Sequence, residues 1–253
     1  MKKIHFIFDK TKKAQNLKKI LLKKYKNTNV KKSDCIVVAG GDGHMLKTLK
    51  KNYKFNKPFY GINCGTFGFL MNKYMINDLE KKLILAKKTF IQPLETKVKT
   101  SKGIRSLLAV NEISLLRQSR QTVSLEVKIN NKIIIKKLIG DGILLSTPAG
   151  STAYNLSVHG PILSLTSKTL ALTSISAFRP RKWRGKIISD KSVVKIKNLD
   201  SIKRPVAAVA DNTEVRNVKF LKIKASNKIK ICVLYDKNNS LYKKIKAEQL
   251  KSY

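Results

Sequence analysis

Four stretches without lysine or arginine are the most informative about how this chain folds. They stand out because those two residue types make up 54 of its 253 residues. The stretches cover residues 33–46, 58–72, 106–116 and 138–167. Each contains an apolar run of the kind found in strands that are buried on both faces. Each also carries glycine, hydroxyl or lone acidic residues, which are typical of loops that approach a ligand closely. The pattern therefore predicts buried strands that lead into binding loops.

The first third of the chain alternates strand, glycine loop and helix. Residues 34–39 (DCIVVA) form a continuous apolar run, GGDG follows at 40–43, and residues 44–51 have apolar positions at helical spacing. Residues 57–62 predict another strand, which leads into the glycine-rich sequence NCGTFGFL. This alternation indicates an α/β domain whose loops lie at the carboxyl ends of its strands.

The pattern changes near Gln92. Beyond it come short, β-branched, often alternating segments separated by turn sequences such as INNK and DNTE, which indicates a mainly β domain. The last segment, SLYKKIKAEQLKSY, is amphipathic and predicts a helix. We therefore expect an α/β domain at residues 1–93, a mainly β domain at 94–235, and a C-terminal helical segment at 236–253 that packs back on the first domain.

The net charge of +39 admits two interpretations. An anionic partner, such as a nucleic acid, would favour a basic chain. A dedicated nucleic-acid binder, however, tends to concentrate its basic residues and to use arginine for bidentate contacts. Here lysine dominates and is spread from Lys2 to Lys251, which favours a compositional bias and a solvated surface. We expect no specific nucleic-acid partner.

Composition disfavours several classes of protein. The chain has no long apolar run and its apolar start is too short for a signal peptide, so we expect no membrane association and a cytoplasmic location. The cysteines Cys35, Cys64 and Cys232 are far apart, which disfavours a disulfide framework and a cysteine-based zinc site. The hydrophobic fraction of 42% is enough for a sizeable core.

The GGDG sequence at residues 40–43 has two interpretations. Its glycines lie between a buried strand and a helix start, where backbone N–H groups and the helix dipole attract phosphate oxygens. Asp42 would repel a phosphate, so a functional role for it requires Mg²⁺ or a proton accepted from an attacking hydroxyl. The alternative is a tight turn in which Asp42 caps the helix. Neither GxGxxG nor GxxxxGK[ST] occurs, which disfavours dinucleotide reductases and P-loop enzymes.

Three further segments carry polar residues suited to ligand binding. Residues 61–70 (GINCGTFGFL) form a second glycine-rich loop after a strand. Asn111-Glu112 is an amide–carboxylate pair that suits ribose hydroxyls or a base edge, with a plain turn pair as the alternative. Residues 140–162 combine Asp141 with several hydroxyl-bearing residues around glycine and proline, which is unlike an ordinary core.

Together these motifs resemble those of bacterial NAD kinases, the ATP-dependent NAD 2′-phosphotransferases. GGDG, GxNxGxxGFL, NE and GDGxxxSTPxGSTAYxxS occur in this order over roughly residues 36–211. GGDG alone is shared with diacylglycerol, sphingosine and phosphofructo-kinases, whereas the long STPxGSTAY segment is far more specific. The resemblance implies that the γ-phosphoryl group of ATP is transferred to the adenosine 2′-hydroxyl of NAD, giving NADP, with Mg²⁺ carried by the nucleotide.

The resemblance also implies a fold and an assembly, which composition alone does not. The expected fold is a Rossmann-like, three-layer α/β N-terminal domain of the GGDG kinase type, followed by a mainly β, sandwich-like C-terminal domain. The expected partners are NAD, ATP and further copies of the same chain, in a homodimer or homotetramer.

The family's phosphate-side residues map onto the GGDG loop and the helix after it. By resemblance, Asp42 accepts the proton of the 2′-hydroxyl and Gly43 contacts the nucleotide. Lys47, one turn along the helix, matches a position that is often basic and is expected to meet a phosphate.

The family's NAD-binding residues map onto the second half of the chain. Asn111 and Glu112 match the pair that holds NAD, and Asp141 matches the aspartate that binds its nicotinamide side. Within the TAYxxS run, Tyr154 and its neighbours are expected to pack near the adenine. The remaining implied contacts are Ala149, Thr152, Ala153, Asn155, Leu156 and Ser157.

The chain departs from the family pattern at several positions. His44 stands where GGDGT has threonine, and His159 stands where GGPI has a glycine. Ala177-Phe178 replaces a proline–histidine pair, and Asn212 replaces the glycine of a late DG pair, where asparagine can still take a left-handed turn. These changes bear on the phosphate loop and on oligomer contacts more than on the catalytic aspartate.

Two functional alternatives stay open at this level. One is a lipid or sugar kinase of the wider GGDG group, and the other is a paralogue that binds NAD without turnover. Trp183, within the basic sequence RPRKWR, either stacks on a base or belongs to a surface loop.

Overall fold

A computed structural model describes residues 2–66, 68–75, 77–237 and 243–246. The chain divides into two compact units. The first comprises the described residues up to Ile91 together with those from Ile229 onward, and the second is Gln92–Lys228. In the described part of the chain, no helix has the length and apolar character needed to cross a membrane.

The first unit is built on a five-stranded sheet. In spatial order its strands are β1 (Ile4–Phe8), β2 (Cys35–Gly40), β3 (Phe59–Asn63), β17 (Ile231–Tyr235) and β4 (Lys87–Ile91). The first four strands are parallel, and β4 is antiparallel to β17. The connecting helices are α1 (Lys12–Lys24), α2 (Asp42–Asn52) and α3 (Leu79–Leu85).

Burial explains why these segments fold as they do. Every residue of β2 is buried, as expected for a parallel strand covered on both faces. Helix α1 buries Ala14, Leu17 and Leu21, which recur at helical spacing along one face. The α/β architecture predicted for this part of the chain is confirmed.

Strand β17 differs from the sequence-based assignment, which placed residues up to 235 in the second domain. Val233 pairs in parallel with Phe59 of β3, and the other edge of β17 pairs with β4. The strand therefore completes the sheet of the first unit. Its apolar sequence ICVLY is compatible with a strand but carries no information on which distant sheet it joins.

Only part of the predicted C-terminal helical segment lies among the described residues. Residues 243–246 form a helical turn, whereas 238–242 and 247–253 lie outside the described range. Within the turn, Ile245 is buried and Lys246 is exposed.

The second unit consists of two six-stranded antiparallel sheets. One contains, in spatial order, β12 (Gly185–Ser189), β11 (Thr169–Ile175), β10 (Gly142–Ser146), β7 (Glu112–Arg117), β14 (Val206–Ala210) and β15 (Thr213–Val215). The other contains β6 (Gly103–Ala109), β5 (Leu94–Thr100), β16 (Val218–Ala225), β13 (Val193–Asn198), β8 (Val123–Ile129) and β9 (Lys132–Gly140). A short helix, α4 (Tyr154–Ser157), lies in the long connection from β10 to β11.

One apolar core joins the inward faces of the two sheets. Ile113 and Ile143 contribute to it from one sheet, and Val98, Val127 and Ile196 contribute from the other. Two sheets that share such a core form a sandwich. The predicted mainly β, sandwich-like domain is therefore confirmed.

Strand alternation accounts for part of the positive charge. In β16, Leu221 and Ile223 are buried, whereas Lys222 between them is exposed. Lys222 lies opposite Lys97 of β5 and Lys195 of β13 in the strand register. This outward face is the kind of solvated lysine surface that the compositional interpretation of the charge requires.

Candidate active site

The GGDG loop joins β2 to α2 at the carboxyl end of the strand. Gly40 ends β2, Gly41 is the N-cap residue of α2, and Asp42 is its first residue. The N–H of Cys64, which follows β3, donates to the Gly40 carbonyl at 2.8 Å. The two glycine-rich loops predicted from the sequence are thus brought together at one edge of the sheet.

Two glycines of this loop are not required by the fold. A Cβ atom added at Gly41 or Gly43 would meet no heavy atom of the described structure within 4 Å, and neither residue has a positive φ. At Gly40, by contrast, an added Cβ would lie 2.9 Å from the imidazole Cδ2 of His44. Open space beside the backbone at a helix N-terminus is what an approaching phosphate group needs.

The carboxylate of Asp42 is held by backbone groups of the loop that follows β3. The Phe69 N–H donates to its Oδ2 at 2.7 Å, and the Leu70 N–H donates to its Oδ1 at 2.9 Å. Burial raises the pKa of Asp42, while these two hydrogen bonds and the charge of Lys244 oppose the rise. The interpretation of Asp42 as a cap of its own helix is wrong, because both oxygens bind the neighbouring loop.

His44 lies between the GGDG loop and the end of β1. Its Nδ1 is 3.8 Å from Oδ1 of Asp9, and its Nε2 is buried without a hydrogen-bond partner in the described structure. Burial lowers the pKa of His44, Asp9 opposes this shift, and Lys47 adds to it, so the imidazole is neutral at pH 7. Lys47 itself is exposed on α2. Asp9 was not predicted as a site residue, because a single aspartate after a strand does not by itself indicate a functional site.

In the second unit, the Asn111-Glu112 turn is fixed from two sides. The Asp211 carboxylate accepts the N–H groups of Val110 and Asn111, each at 2.9 Å. On the other side, the Asn111 carbonyl accepts the N–H of Thr147 at 2.9 Å. A Cβ atom added at Gly150 would lie 2.4 Å from Cα of Asn111, so only glycine permits this close approach.

Glu112 carries a buried carboxyl group whose bonding is incomplete. Its Oε2 has no hydrogen-bond partner in the described structure. Burial, with a contribution from the nearby Asp211, raises the pKa of Glu112 to about 8. The carboxyl group is therefore mostly protonated at pH 7, and it offers a hydrogen bond that a polar ligand can complete.

Glu112→Gln is expected to make the free energy of unfolding less dependent on pH. The folded protein keeps the Glu112 proton up to pH about 8, whereas the unfolded chain releases it near 4.5. Between these values the unfolded state binds fewer protons, so the free energy of unfolding falls by up to about 1.4 kcal/mol per pH unit as pH rises. Glutamine removes this dependence, which urea unfolding of the two proteins at several pH values would measure.

The matched control for this substitution is Glu126→Gln. Glu126 lies in the same unit and pairs with Lys128 at 3.2 Å on the surface of β8. We expect this variant to keep the pH dependence of the parent protein. Equal pH slopes for Glu112→Gln and the parent protein would show that the Glu112 carboxyl group is not held protonated.

The hydroxyl groups at the start of the 146–163 segment bind backbone groups, either within the segment or beside Asn111. Thr147 donates to the Val110 carbonyl at 2.8 Å, and Ser151 donates to the Pro148 carbonyl at 2.8 Å. Ser151 also accepts the N–H of Leu163 at 3.0 Å. The unusual hydroxyl content that the sequence displays therefore builds the loop, in addition to any ligand contact.

The side chain of Asn155 stabilises this loop through hydrogen bonds. Its amide nitrogen donates to the carbonyls of Ser151 and Pro161, at 3.1 and 2.9 Å, and its Oδ1 accepts the Thr173 hydroxyl at 2.7 Å. The side chain is fully buried. A direct side-chain contact from Asn155 to a nucleotide, as the resemblance implied, does not fit this geometry.

The other residues implied by the STPxGSTAYxxS motif differ in accessibility. Ser157 is exposed, whereas Ala153, Tyr154 and Leu156 are partly exposed. Ala149 and Thr152 are nearly buried. Burial raises the pKa of Tyr154, and the charges of Glu112 and Asp141 raise it further. Two of the predicted residues, Glu112 and Asp141, therefore each lie within electrostatic reach of Tyr154.

Asp141 forms an ion pair with a residue that lies outside the sequence motifs. Its Oδ1 lies 2.6 Å from Nε of Arg117, and both side chains are more than one third exposed. A ligand that hydrogen-bonds to Asp141 must share it with this guanidinium. Arg117 ends β7, and no motif in the sequence marks it.

Two departures from the family pattern have a backbone explanation. His159 has a φ of 62°, so it occupies the left-handed region in which the family's glycine is unstrained. In the late Asp211-Asn212 pair, the left-handed residue is Asp211, with a φ of 52°, and not Asn212 as the sequence suggested. The aspartate takes this conformation while its carboxylate holds the Asn111 turn.

The basic segment around Trp183 contains one partly buried and one exposed aromatic residue. Trp183 is partly buried and packs against the core of the second unit, which is the role of a structural side chain. Phe178 is 56% exposed, and the Arg179 guanidinium lies 4.8 Å from its ring centroid. The stacking role considered for Trp183 is therefore not supported.

The described residues contain no group of three or more histidine, cysteine, aspartate or glutamate side chains arranged to hold a metal ion. Asp42 lies in the glycine loop with both of its oxygens bound to backbone N–H groups.

Comparison with known proteins identifies the family. Residues 2–84 match the model of the ATP-NAD kinase N-terminal domain, and residues 110–241 match that of the ATP-NAD kinase C-terminal domain. The chain is 43% identical to the NAD kinase of Zymomonas mobilis over 95% of both chains. It is 40% identical to the NAD kinase of Brucella suis over 98% of this chain and 97% of that protein.

Solved structures agree on the fold. The yeast NADH kinase complexed with NADH has a TM-score of 0.75 at 24% identity, over 87% of this chain and 67% of that chain. An NAD kinase from Archaeoglobus fulgidus in complex with ATP has a TM-score of 0.75 at 20% identity, over 96% and 98%. The resemblance drawn from the motifs is confirmed: the chain belongs to the NAD kinase family of enzymes.

Proposed function

We propose that this protein transfers the γ-phosphoryl group of ATP to the adenosine 2′-hydroxyl of NAD, with Asp42 as the proton acceptor. The observation that carries the proposal is the state of Asp42. Its carboxylate is fixed by two backbone N–H groups, and it lies between two glycines that the fold does not require. A positioned carboxylate beside a backbone that is open to phosphate suits phosphoryl transfer to a hydroxyl.

The proposed step is a displacement at the γ-phosphorus of ATP. The 2′-oxygen of NAD forms a bond to the γ-phosphorus while the bond from that phosphorus to the bridging oxygen of ADP breaks, and the hydroxyl proton moves to a carboxylate oxygen of Asp42. An ordinary carboxylate is a weak base for a ribose hydroxyl. The raised pKa of Asp42 makes it a somewhat stronger base, and a loose transition state needs the proton removed late.

We infer that NAD is bound mainly by residues of the second unit. The uncompensated Glu112 carboxyl group and the Asn111 side chain beside it suit ribose hydroxyls, and both Glu112 and Asp141 lie within electrostatic reach of Tyr154. We assign Asn155 an indirect role, in which it holds the loop that presents Thr152, Ala153, Leu156 and Ser157. Lys47, exposed near the start of α2, is assigned to a phosphate.

Other properties are proposed from the family resemblance. Mg²⁺ would enter as the complex with ATP and neutralise charge on the transferred phosphoryl group. The protein would act in the cytoplasm as a homodimer or homotetramer.

Gly43→Ala is expected to increase stability while lowering kcat/KM for ATP. Because an added Cβ meets no heavy atom of the described residues within 4 Å at this first-turn helix position, alanine should raise the free energy of unfolding by up to about 1 kcal/mol. The same methyl group would obstruct a phosphate that approaches the backbone, so kcat/KM for ATP should fall by about tenfold or more. Urea unfolding and steady-state kinetics on one preparation would measure both effects.

Asn16→Ala in α1 is the control for Gly43→Ala. Asn16 is exposed, and alanine favours a helix there as well. This variant should gain some stability and keep its kinetics. If Gly43→Ala also kept its kinetics, no phosphate would approach the backbone at Gly43.

An acceptor panel tests the choice of substrate. NAD, a diacylglycerol and a hexose phosphate would each be incubated with the protein, ATP and Mg²⁺, and ADP release would be measured. We expect ADP release with NAD only. Release with a lipid or sugar acceptor and none with NAD would instead favour the wider GGDG kinases, and binding of NAD without release would favour a non-catalytic paralogue.

A further inference from the structure

Lys244 lies in the helical turn at residues 243–246 and reaches the loop that follows β3. Its ammonium group donates to the Gly68 carbonyl at 2.7 Å, to the Phe69 carbonyl at 3.1 Å, and to the Met71 carbonyl. An ammonium group has three N–H donors, so these three bonds use all of them. The side chain is thus committed to the backbone of this one loop.

The same loop binds Asp42 with its opposite face. The Gly68–Phe69 peptide group accepts from Lys244 through its carbonyl and donates to Asp42 Oδ2 through its N–H. The Phe69–Leu70 peptide group does the same toward Asp42 Oδ1. The C=O and N–H of a trans peptide point in opposite directions. Two peptide groups therefore connect the ammonium group to the two oxygens of the carboxylate.

This arrangement favours a charged lysine. A positive charge at the carbonyl end of each peptide group strengthens the hydrogen bond that its N–H makes at the other end. An apolar side chain in the same place would leave three carbonyls without their donor. The loop would then be free to move relative to the Asp42 carboxylate.

We propose that Lys244 is a positioning residue for the reaction, acting on Asp42 through the Gly68–Phe69 and Phe69–Leu70 peptide groups. This inference rests on the proposed function, since it requires Asp42 to be the proton acceptor. It gives the C-terminal segment a part in catalysis, although Lys244 contacts neither substrate nor the transferred group.

Lys244→Met tests the proposal with Lys246→Met as its matched control. Both substitutions remove one lysine charge from the same helical turn, but Lys246 is exposed. We expect Lys244→Met to lower kcat by about ten- to a hundredfold, the cost of a modest misplacement, while KM for NAD stays within about twofold. Lys246→Met should match the parent protein. Lys244→Arg, which keeps the charge, should recover most of the lost kcat.

A double substitution tests whether the effect passes through Asp42. If Lys244 acts only through that carboxylate, Lys244→Met should cause no further loss of kcat in a protein that already carries Asp42→Asn. Hydrogen exchange gives a readout independent of turnover. The amides of Phe69 and Leu70 should exchange faster in Lys244→Met than in Lys246→Met.

The pH dependence of kcat tests the proposal even if Lys244→Met fails to fold. Burial lowers the pKa of Lys244 to about 8, against the opposing charges of Asp42 and Asp236. The ring of Tyr235 faces its ammonium group, and Lys82 pairs with Asp236. As pH rises through this value, Lys244 loses its charge and kcat should fall. Arginine stays charged, so this alkaline fall should move to higher pH in Lys244→Arg.

The outcomes separate this inference from the proposed function. Retained turnover in Asp42→Asn would refute the role of Asp42 as proton acceptor in the proposed function, and this inference with it. Lost turnover in Asp42→Asn, combined with equal kcat values for Lys244→Met and Lys246→Met, would overturn this inference alone. An alkaline limb that does not move in Lys244→Arg would also overturn it.

Discussion

Asp42→Asn is expected to lower the rate of NADP formation by about 10²- to 10⁴-fold, which is the usual contribution of a positioned general base. The asparagine amide cannot accept the 2′-hydroxyl proton. NAD should still bind with little change in affinity, because the residues assigned to NAD lie in the second unit. Steady-state kinetics with ATP and NAD, together with calorimetric titration of NAD, would measure the two effects.

The structure adds a secondary effect to this substitution. Asparagine has one oxygen where aspartate has two, so either the Phe69 or the Leu70 N–H would lose its acceptor. We expect a loss of about 1–3 kcal/mol in the free energy of unfolding. Asp34→Asn is the control, because Asp34 also accepts a backbone N–H, that of Lys3 at 2.8 Å, and lies in the same unit. Full turnover in Asp42→Asn would refute the assignment of the proton acceptor.

Gly150→Ala is expected to cost about 3 kcal/mol of the free energy of unfolding, at the upper end for an overpacked position. The added Cβ would lie 2.4 Å from both Cα and the carbonyl oxygen of Asn111. Backbone atoms cannot rotate away as a flexible side chain can, so the Asn111-Glu112 turn would have to shift. Urea unfolding measures the loss, and NAD titration should show weakened binding.

Gly43→Ala serves as the comparison, because the same methyl group meets none of the described residues there within 4 Å. The two alanine variants should therefore change stability in opposite directions. A stable Gly150→Ala protein with unchanged NAD affinity would mean that the close approach to Asn111 is not needed.

The local elements were predictable because their signals are local. The apolar run of β2, the glycines after it and the helical spacing in α2 lie within twenty residues of one another. The alternation of apolar residues and lysines in β16 gives its two faces directly. Each signal depends on the period of a strand or a helix, which a single sequence displays.

Long-range pairing was not predictable from these signals. Strand β17 looks like any other strand in the second half of the chain, yet it pairs with β3, more than 170 residues earlier. Lys244 is one lysine among many, and only the folded chain brings it to Gly68 and Phe69. Residues that are close in space but far apart in the sequence produce no periodic pattern from which their contact could be predicted.

Residue roles within a recognised motif were only partly predictable. The TAYxxS run implied that all its residues contact the nucleotide, but the Asn155 amide is used up by Ser151, Pro161 and Thr173. The left-handed backbone at Asp211 was assigned to its neighbour Asn212. A motif identifies the segment, whereas hydrogen bonds and φ angles decide which side chains face outward.

The most direct test of the central claim locates the transferred phosphoryl group. The purified protein would be incubated with NAD, Mg²⁺ and ATP labelled in its γ-phosphoryl group, beside the Asp42→Asn variant, and the product would be examined by ³¹P NMR. We predict that the label is found as a monoester on the adenosine 2′-oxygen of NADP, and that the variant gives little of it. Label on another acceptor, or equal labelling by both proteins, would contradict the account.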